Sequence, residues 1–339
     1  MSQLQILKEE QKPKGLIKID RNSGIPLLGI IHIGVIDRGS SLLQVRASTY
    51  CNMKCTFCST AANSYNIHPY NYEVELNYLL DWIKETIRLK DSLVNQINID
   101  SVGEPTAYPK IVELVKELKK IPQIEIITMQ SNGTLLTKEK IKALEEAGLN
   151  RINFSIHSLI PEQSQELFGS KNYNLERTLE TCKLVNESKI ELNLTPVYLP
   201  GVNDEQINKL IEFAKELKCK ISIQKYEIYK YSRKAKRTKE QNWYKFYRYL
   251  DELEKDHNYK LKLGPIDFKI LRSKRIPLVF QRGDIINAEV IMPGWMKNEV
   301  IAKANNRAIT IVDCNSGIGD RIKVKILETR DSIYIAKKV

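Results

Sequence analysis

The segment Cys51-Asn-Met-Lys-Cys55-Thr-Phe-Cys58 closely follows an apolar run at residues 42–48 and has the spacing CxxxCxxC. Three thiolates can hold three irons of a cubane cluster, and they leave the fourth iron open to a small molecule. A structural zinc site normally has four protein ligands, and the nearest further candidate ligand is His68. The spacing therefore predicts an iron–sulfur cluster on the three cysteines, with zinc as the alternative.

Strand-like and helix-like runs alternate around and after the cysteines. The predicted strands cover 42–48, 96–102, 124–129, 151–158, 190–197 and 221–228, and the predicted helices cover 74–90, 109–118, 137–147, 175–186 and 205–217. Thr137 and Asp204 are predicted helix caps, and Gly148 is a predicted stop. Such alternation favours an α/β fold, here a partial (βα)6 barrel with its chemistry at the carboxyl ends of the strands.

The cysteine motif, with the aromatic Phe57 before its last cysteine, resembles the signature of the radical S-adenosylmethionine (SAM) superfamily. The resemblance covers residues 40–230 and is to an archaeal-type enzyme with a core similar to molybdenum-cofactor synthases. It implies a [4Fe–4S] cluster that binds SAM at its open iron. It also implies one-electron cleavage of SAM to a 5′-deoxyadenosyl radical, chemistry that the cofactors supply while the protein positions them.

Further elements of the resemblance follow the predicted strands in order. Residues 100–105 are similar to the Gly-Gly-Glu element, with Val102 in place of its first glycine, and residues 130–133 are similar to the Thr-Asn-Gly element. The fifth strand and the turn at 201–204 resemble those of the molybdenum-cofactor branch. The cofactor-binding residues that the resemblance implies are Phe57, Gly103, Glu104, Pro105, Asn132, Ser155, Asn193 and Gln224.

Taken singly, several of these residues have ordinary structural interpretations. Gly103 and Asn132 are also typical of turns, and Ser155 is also typical of a packed strand. The resemblance depends on their order behind the cysteine motif. Glu104 is expected to anchor backbone rather than to act as a general acid, and no catalytic residue is assigned.

Three further cysteines, Cys182, Cys219 and Cys314, are isolated in the sequence. Their spacing does not resemble the ligand set of an auxiliary cluster, so they are predicted to be ordinary cysteines. The cobalamin-binding pattern Asp-x-His-x-x-Gly is also absent from the sequence. A single cluster is therefore expected.

Basic residues are concentrated in the last third of the chain. Residues 1–217 contain 25 Lys and Arg against 27 Asp and Glu, whereas residues 218–339 contain 28 against 14. Asymmetry of this kind suggests a polyanionic partner for the basic part, although solubility alone is the plainer explanation.

Within that part, residues 225–248 carry nine basic and two acidic side chains, interleaved with seven aromatic ones. Basic groups contact phosphates and aromatic rings stack on unpaired bases, so the stretch favours RNA. The residues predicted to contact phosphate are Arg233, Lys234, Lys236 and Arg237. The helical spacing of Trp243, Phe246 and Tyr247 instead predicts that these rings belong to the core.

Short strand-like runs and turns fill residues 277–339, which resemble a TRAM domain, a small oligonucleotide-binding-like (OB-like) β-barrel of tRNA-modifying enzymes. A generic β-barrel that packs or dimerises is the alternative. The predicted organisation is an N-terminal extension with a β-hairpin (1–39), the radical SAM core (40–262), a linker (263–276) and the barrel (277–339).

A radical enzyme joined to an RNA-binding barrel implies modification of a nucleoside in structured RNA, most simply tRNA. The alternatives are a radical SAM enzyme acting on a small molecule or a peptide, and an RNA-binding protein with a structural cluster. The expected partners are RNA and an external electron donor such as ferredoxin or flavodoxin. The polar first twenty residues contain no secretory signal and no run long enough to span a membrane is seen, so a cytoplasmic location without membrane contact is expected.

Overall fold

The computed structural model describes residues 15–339, and the predicted N-terminal extension at 1–39 lies outside the described residues as far as position 14. The strands are β1 (Gly15–Ile19), β2 (Gly34–Asp37), β3 (Leu42–Arg46), β4 (Tyr70–Val74), β5 (Gln96–Asp100), β6 (Ile126–Ser131), β7 (Arg151–Phe154), β8 (Glu191–Leu194), β9 (Val197–Tyr198), β10 (Lys220–Ile221), β11 (Gln224–Lys225), β12 (Ile285–Pro293), β13 (Val300–Ala304), β14 (Arg307–Val312), β15 (Arg321–Glu328) and β16 (Ile335–Lys338). The helices are α1 (Leu76–Leu89), α2 (Ile111–Lys119), α3 (Lys138–Ala147), α4 (Pro161–Phe168), α5 (Leu175–Glu187), α6 (Asp204–Glu216) and α7 (Trp243–His257).

The helix boundaries follow local capping chemistry. The Thr137 hydroxyl accepts a hydrogen bond from the Lys140 N–H at 3.2 Å, and α3 ends at Gly148 in the left-handed conformation, so both predictions are confirmed. The predicted cap Asp204 is wrong by one residue, because Asp204 is the first residue of α6 and Asn203 precedes it as the N-cap. Helix α4 was not predicted, since its apolar pattern is weak.

The chain folds into two compact units. The cysteine unit comprises Cys51–Ala62 and Glu104–Leu271. The terminal unit comprises the described residues up to Tyr50 together with Asn63–Gly103 and Arg272–Val339. This division differs from the predicted boundaries, since the predicted barrel domain belongs to the same unit as the N-terminal strands.

In the cysteine unit, β6, β7, β8 and β10 form a parallel sheet in the order β10-β8-β7-β6. Side chains such as Ile152 and Phe154 on β7 are fully buried, as expected of a sheet covered by helices. The predicted sixth strand is shorter than expected and is split into β10 and β11, which pairs with β9. All four strands of the sheet end at one edge, where Ser131, Phe154, Leu194 and Ile221 are in register.

In the terminal unit, β2 and β3 form the predicted antiparallel hairpin, which spans the predicted boundary at residue 39, and β3 pairs in parallel with β5. Strands β12 to β16 form a closed barrel in the order β12-β13-β14-β16-β15. The predicted small β-barrel is therefore confirmed. No helix in the described part of the chain is both long and apolar enough to cross a membrane.

The barrel is hydrogen-bonded to the N-terminal segment of its unit. The Ala308 N–H donates to Leu28 O at 2.8 Å and the Tyr334 N–H donates to Gly29 O at 2.8 Å. A Cβ at Gly29 would lie 2.0 Å from Ala308 O, and the φ of +115° also requires glycine there. These bonds join the barrel directly to the N-terminal segment of its unit.

A buried ion pair fixes the residues before the barrel to the same segment. The Lys90 Nζ lies 2.8 Å from Asp37 Oδ1, and both side chains are almost completely buried. The second carboxylate oxygen of Asp37 accepts from the Ile276 N–H at 2.8 Å, and Lys90 also donates to Lys274 O. Part of the predicted linker is thereby held in place.

Candidate active site

The cysteine loop (Cys51–Ala62) contains no helix or strand and is supported by the end of α4. The Lys54 N–H donates to Phe168 O at 3.1 Å and the Thr56 N–H donates to Leu167 O at 2.9 Å. A Cβ at Gly169 would lie 2.1 Å from Lys54 O, so only glycine permits this approach. The unpredicted helix α4 thus positions the loop.

The three thiols of the loop are half-buried and unbridged. Burial raises the pKa of Cys51 to about 12, and burial together with Cys58 and Cys51 raises the pKa of Cys55 well above its usual range. Because thiolates are the ligands, metal loading at this loop must release protons.

The donor set fits a cubane better than a single metal ion. A structural zinc site normally has four protein ligands, and the loop supplies three thiols, Cys51, Cys55 and Cys58. In a cubane each thiolate binds a different iron, so three separated thiols suffice. Cys51, Cys55 and Cys58 would hold a [4Fe–4S] cluster, which in its reduced form would supply the electron for cleavage of the SAM that the resemblance implies.

Arg233 fastens the basic stretch to the cysteine loop. Its backbone N–H donates to Cys58 O at 2.9 Å, and its guanidinium donates to Cys55 O at 3.4 Å and to Ala62 O. The neighbouring Ser232 hydroxyl donates to Ser59 O at 2.8 Å. The guanidinium predicted to contact phosphate thus has carbonyl partners beside the thiols.

Replacement of Arg233 by glutamine is expected to weaken iron retention. The variant loses a charged donor to at least two loop carbonyls, and hydrogen bonds to charged groups contribute about 1.5–3 kcal/mol each. The measurement is iron released to a chelator over time, with Lys234→Gln as the matched control because Lys234 is exposed. Equal release from both variants would contradict a role for Arg233 in holding the loop.

Phe57 lies in a small apolar cluster with Leu167, Leu199 and Tyr226, and only 8% of it is exposed. The ring of the buried His157 contacts Phe57 edge-on, with 4.7 Å between the ring centroids. Burial lowers the pKa of His157 to about 3, and its Nδ1 accepts from the Val197 N–H at 3.0 Å, so this histidine is neutral. Phe57 therefore packs the loop against the sheet, and its contact with a cofactor stays a prediction.

Glu104 ties a turn to the end of β6. Its carboxylate accepts from the Thr106 hydroxyl at 2.6 Å, the Ser131 hydroxyl at 2.8 Å and the Asn132 N–H at 2.8 Å. Complete burial raises the pKa of this carboxyl, and the donors oppose that rise. Pro105 opens the short helical turn that Glu104 caps. The predicted anchoring role of Glu104 is confirmed.

Asn132 joins the end of β6 to the cysteine loop. Its Nδ2 donates to Asn52 Oδ1 at 3.0 Å, and Asn52 in turn donates to the Thr134 hydroxyl at 2.7 Å.

Gly103 belongs to the terminal unit, where a Cβ on Gly103 would lie 2.0 Å from Tyr50 O. A side chain at position 103 is therefore excluded, and contact of Gly103 with a cofactor stays a prediction.

Polar side chains form two rows across the carboxyl edge of the sheet. Gln130, Asn153 and Asn193 are in register in one row, and Ser155, Thr195 and Ser222 follow two positions later on the same face. The rows are connected by hydrogen bonds: Gln130 Nε2 donates to the Ser155 and Thr195 hydroxyls, at 3.1 and 3.0 Å. Such a polar edge in an α/β sheet is typical of a binding site.

The buried amide of Asn193 is held within this edge. It donates to Asn153 Oδ1 at 2.8 Å and accepts from the Ser222 hydroxyl at 3.0 Å. Gln224 is exposed, and its Nε2 donates to Ser222 O at 3.0 Å. Gln130, Thr195 and Ser222 were missed by the sequence reasoning, although each is a polar residue at or just after the end of a strand.

Replacement of Ser155 or Asn193 by alanine is expected to weaken SAM binding about twofold to about a hundredfold while iron is retained, because one polar contact is lost. Calorimetric titration with SAM measures the change. Ser188→Ala is the matched control, because Ser188 caps the end of α5 just before the amino end of β8. Unchanged affinity in both variants would show that the polar edge is not the SAM site.

The remaining predicted residues lie at the surface or in cores. Lys234, Lys236 and Arg237 are exposed, and phosphate contact by them stays a prediction. Cys182 and Cys219 are buried in the cysteine unit and Cys314 is buried in the barrel core. Of the rings predicted to be core, Phe246 is buried, whereas the prediction is wrong for Trp243 and Tyr247, which are exposed.

Relatives and solved structures place these features in a known context. The chain is 34% identical over 345 residues to uncharacterized protein MJ0103 of Methanocaldococcus jannaschii, covering 94% of this chain and 80% of that protein. It is 30% identical over 182 residues to the GTP 3′,8-cyclase of Aquifex aeolicus, and that match spans about half of each protein, 54% and 55%.

The fold resembles Streptococcus suis SuiB bound to precursor peptide SuiA, with a TM-score of 0.51, 22% sequence identity and coverage of 69% of this chain and 52% of that one. The family model of the radical SAM superfamily matches residues 45–214, half of the chain, and includes the cysteine loop, the anchoring turn and the polar edge apart from Ser222. With three thiols suited to a cubane beside these elements, the chain belongs to the radical SAM superfamily, and its cofactors are a [4Fe–4S] cluster and SAM.

Proposed function

We propose that this chain is a radical SAM enzyme that modifies a nucleoside in structured RNA, and that the RNA is tRNA. The observation that carries the proposal is the attachment of the basic stretch to the cysteine loop through Ser232 and Arg233. Lys234, Lys236 and Arg237 follow directly and are exposed. A polyanion bound there would lie beside the cluster, where radical chemistry needs its substrate.

We also propose that the barrel is an OB-like domain of the TRAM type and contributes to RNA binding. On β15 the cations Arg321, Lys323 and Lys325 are exposed, and they alternate with buried aliphatic residues. Lys325 is directly opposite Lys337 on β16. Like charges at facing positions destabilise a sheet, and a bound phosphate backbone would relieve that repulsion.

Two rival functions make different predictions. The similarity to the GTP 3′,8-cyclase of Aquifex aeolicus favours a small-molecule substrate, which would use the polar edge alone. A structural cluster in an RNA-binding protein would retain RNA binding but not cleave SAM. The proposed partners include an external electron donor, such as a ferredoxin or flavodoxin, because the cluster must be reduced before each cleavage.

Neutralising Lys234, Lys236 and Arg237 together is expected to lower tRNA affinity and to flatten its salt dependence. Each phosphate contact that is lost should reduce the slope of log affinity against log salt by about 0.7–0.9. Binding across a salt series is the measurement. The control replaces Lys110, Lys116 and Lys142, which carry the same charge on exposed sites of the cysteine unit. Equal slopes for the two triple variants would remove this stretch from the RNA site.

The reaction itself is tested by nucleoside mass spectrometry of tRNA from a strain lacking the protein. Loss of one modified nucleoside, with accumulation of its precursor, supports the proposal. Formation of the same modified nucleoside in that tRNA by the purified enzyme and SAM would assign the reaction to this protein. An unchanged nucleoside profile together with SAM cleavage stimulated by a nucleotide would favour the small-molecule rival.

A further inference from the structure

The outer face of the first half of α7 carries three aromatic side chains, two of which the helical spacing assigns to the core. Phe246 and Leu250 are buried on its inner face. Trp243, Tyr244 and Tyr247 are 52%, 74% and 49% exposed. Rings of this size normally leave water when a protein folds or binds, so this face is suited to covering by a ligand. We call these three residues the aromatic platform.

The platform is part of a wider concentration of exposed rings. Throughout residues 15–339, every exposed aromatic side chain lies between Tyr229 and Tyr247. The same stretch, residues 225–248, has nine basic and two acidic side chains. Exposed rings and excess positive charge therefore coincide in a single segment, which is the composition of a surface for single-stranded nucleic acid.

The platform is supported from beneath. The Lys225 Nζ lies 5.2 Å from the centroid of the Trp243 ring, and the Lys225 side chain is only 4% exposed, so this cation lies on the protein side of the indole. The Trp243 and Tyr247 rings are stacked with 5.8 Å between centroids, and buried Phe246 contacts Trp243 edge-on at 6.0 Å. The indole is thus held in place while half of its surface faces solvent.

Positive charge surrounds the platform, and the nearby acids are paired. Lys245 lines a surface cleft of about 1030 Å³ together with Arg237 and Lys239. Glu240 is bound by Lys225 at 2.7 Å, and Arg248 lies 3.6 Å from Glu252. In the second half of α7, Asp251 and Glu254 both pair with Lys262. A polyanion therefore meets a net positive surface next to exposed rings.

We propose that the aromatic platform stacks on unpaired nucleobases of the RNA, while the neighbouring cations contact its phosphates. This inference rests on the proposed function and names the part of the RNA that is bound, a loop or an unpaired end. Bases in an A-form duplex cannot present their faces to a side chain, whereas splayed bases can. A protein partner would also cover aromatic rings, but the excess of cations favours a polyanion.

The test uses the full-length, cluster-loaded protein and an oligouridylate of about 12 nucleotides, within the site size of single-strand binders. Trp82 and Trp295 are buried, so Trp243 is the solvent-exposed tryptophan of the described residues. Binding is expected to quench its fluorescence, and Trp243→Leu should abolish that quenching.

Trp243→Leu and Tyr247→Leu are each expected to weaken binding about fivefold to about a hundredfold, the range for one lost base stack. The salt slope should stay unchanged, because stacking releases no phosphate counterions. Ile266→Ala, at an exposed apolar residue of the same unit outside the platform, is the matched control. It should bind as the parent protein does.

Parent-like affinity and quenching in both platform variants would overturn the inference, while a changed tRNA nucleoside profile would leave the proposed function standing. A parent protein larger than one chain in light scattering, reduced to one chain by Trp243→Leu, would identify the platform as a protein interface instead. If the parent protein binds no RNA and the tRNA nucleosides are unchanged in the deletion strain, both proposals fall.

Discussion

A variant with Cys55 replaced by alanine is expected to be isolated without a cluster and to lose reductive SAM cleavage completely. The reconstituted parent should contain about four irons, because three cysteines and one open site make one cubane. Removal of one thiolate leaves a second iron without a protein ligand, and the half-buried loop offers no replacement in the described structure. Iron analysis, visible absorbance and the yield of 5′-deoxyadenosine are the measurements.

The control is a triple variant with Cys182, Cys219 and Cys314 all replaced by alanine. It should keep the same iron content, because these thiols lie in two separate cores. Cys51→Ala and Cys58→Ala should behave as Cys55→Ala does. Loss of iron from the triple variant, or four irons in Cys55→Ala, would refute a single cluster on the CxxxCxxC motif.

Lys90→Ala is expected to destabilise the terminal unit by about 3–5 kcal/mol, because it leaves the buried Asp37 carboxylate without its cation. Asp37 would retain its hydrogen bonds from the Gly39 and Ile276 N–H groups, at 2.9 and 2.8 Å. These bonds reduce the loss of stability but do not cancel it. Urea unfolding followed by circular dichroism measures the effect.

The double variant Lys90→Met with Asp37→Asn should lose less stability than Lys90→Ala, since it buries no net charge. Lys274→Gln is the surface control, because Lys274 is half exposed in its pair with Asp91, and it should change stability by less than about 1 kcal/mol. A double variant that is less stable than Lys90→Ala would contradict the claim that the buried, unpaired charge of Asp37 causes the loss of stability in Lys90→Ala.

The cluster and the alternation of strands and helices in the cysteine unit could be predicted because their signals are local. The cysteine spacing lies within eight residues, and Thr137 and Gly148 mark a helix by capping alone. The polar edge could be predicted only in part. A residue after a strand is visible in the sequence, but the bridging role of Gln130 depends on the lateral register of three strands.

The prediction that Trp243 and Tyr247 are buried is wrong for a geometric reason. Phe246, Leu250 and Leu253 already form a complete inward stripe at helical spacing, and Trp243 and Tyr247 lie at its border. Periodicity defines such a stripe but not its width. The contact of the barrel with Gly29 could not be predicted either, because its partners are distant in sequence and a backbone bond has no side-chain signature.

The bond between Gly29 and Tyr334 has a consequence for synthesis on the ribosome. The carbonyl of Gly29 leaves the ribosome early, and its partner N–H belongs to a residue about 300 positions later. Translation proceeds at about 5–20 residues per second, so the barrel is synthesised on the order of 15–60 s after the apolar N-terminal segment that it covers. Residues 25–36 are therefore where a chaperone that binds nascent chains is expected to act, and slow translation of the last third should increase aggregation.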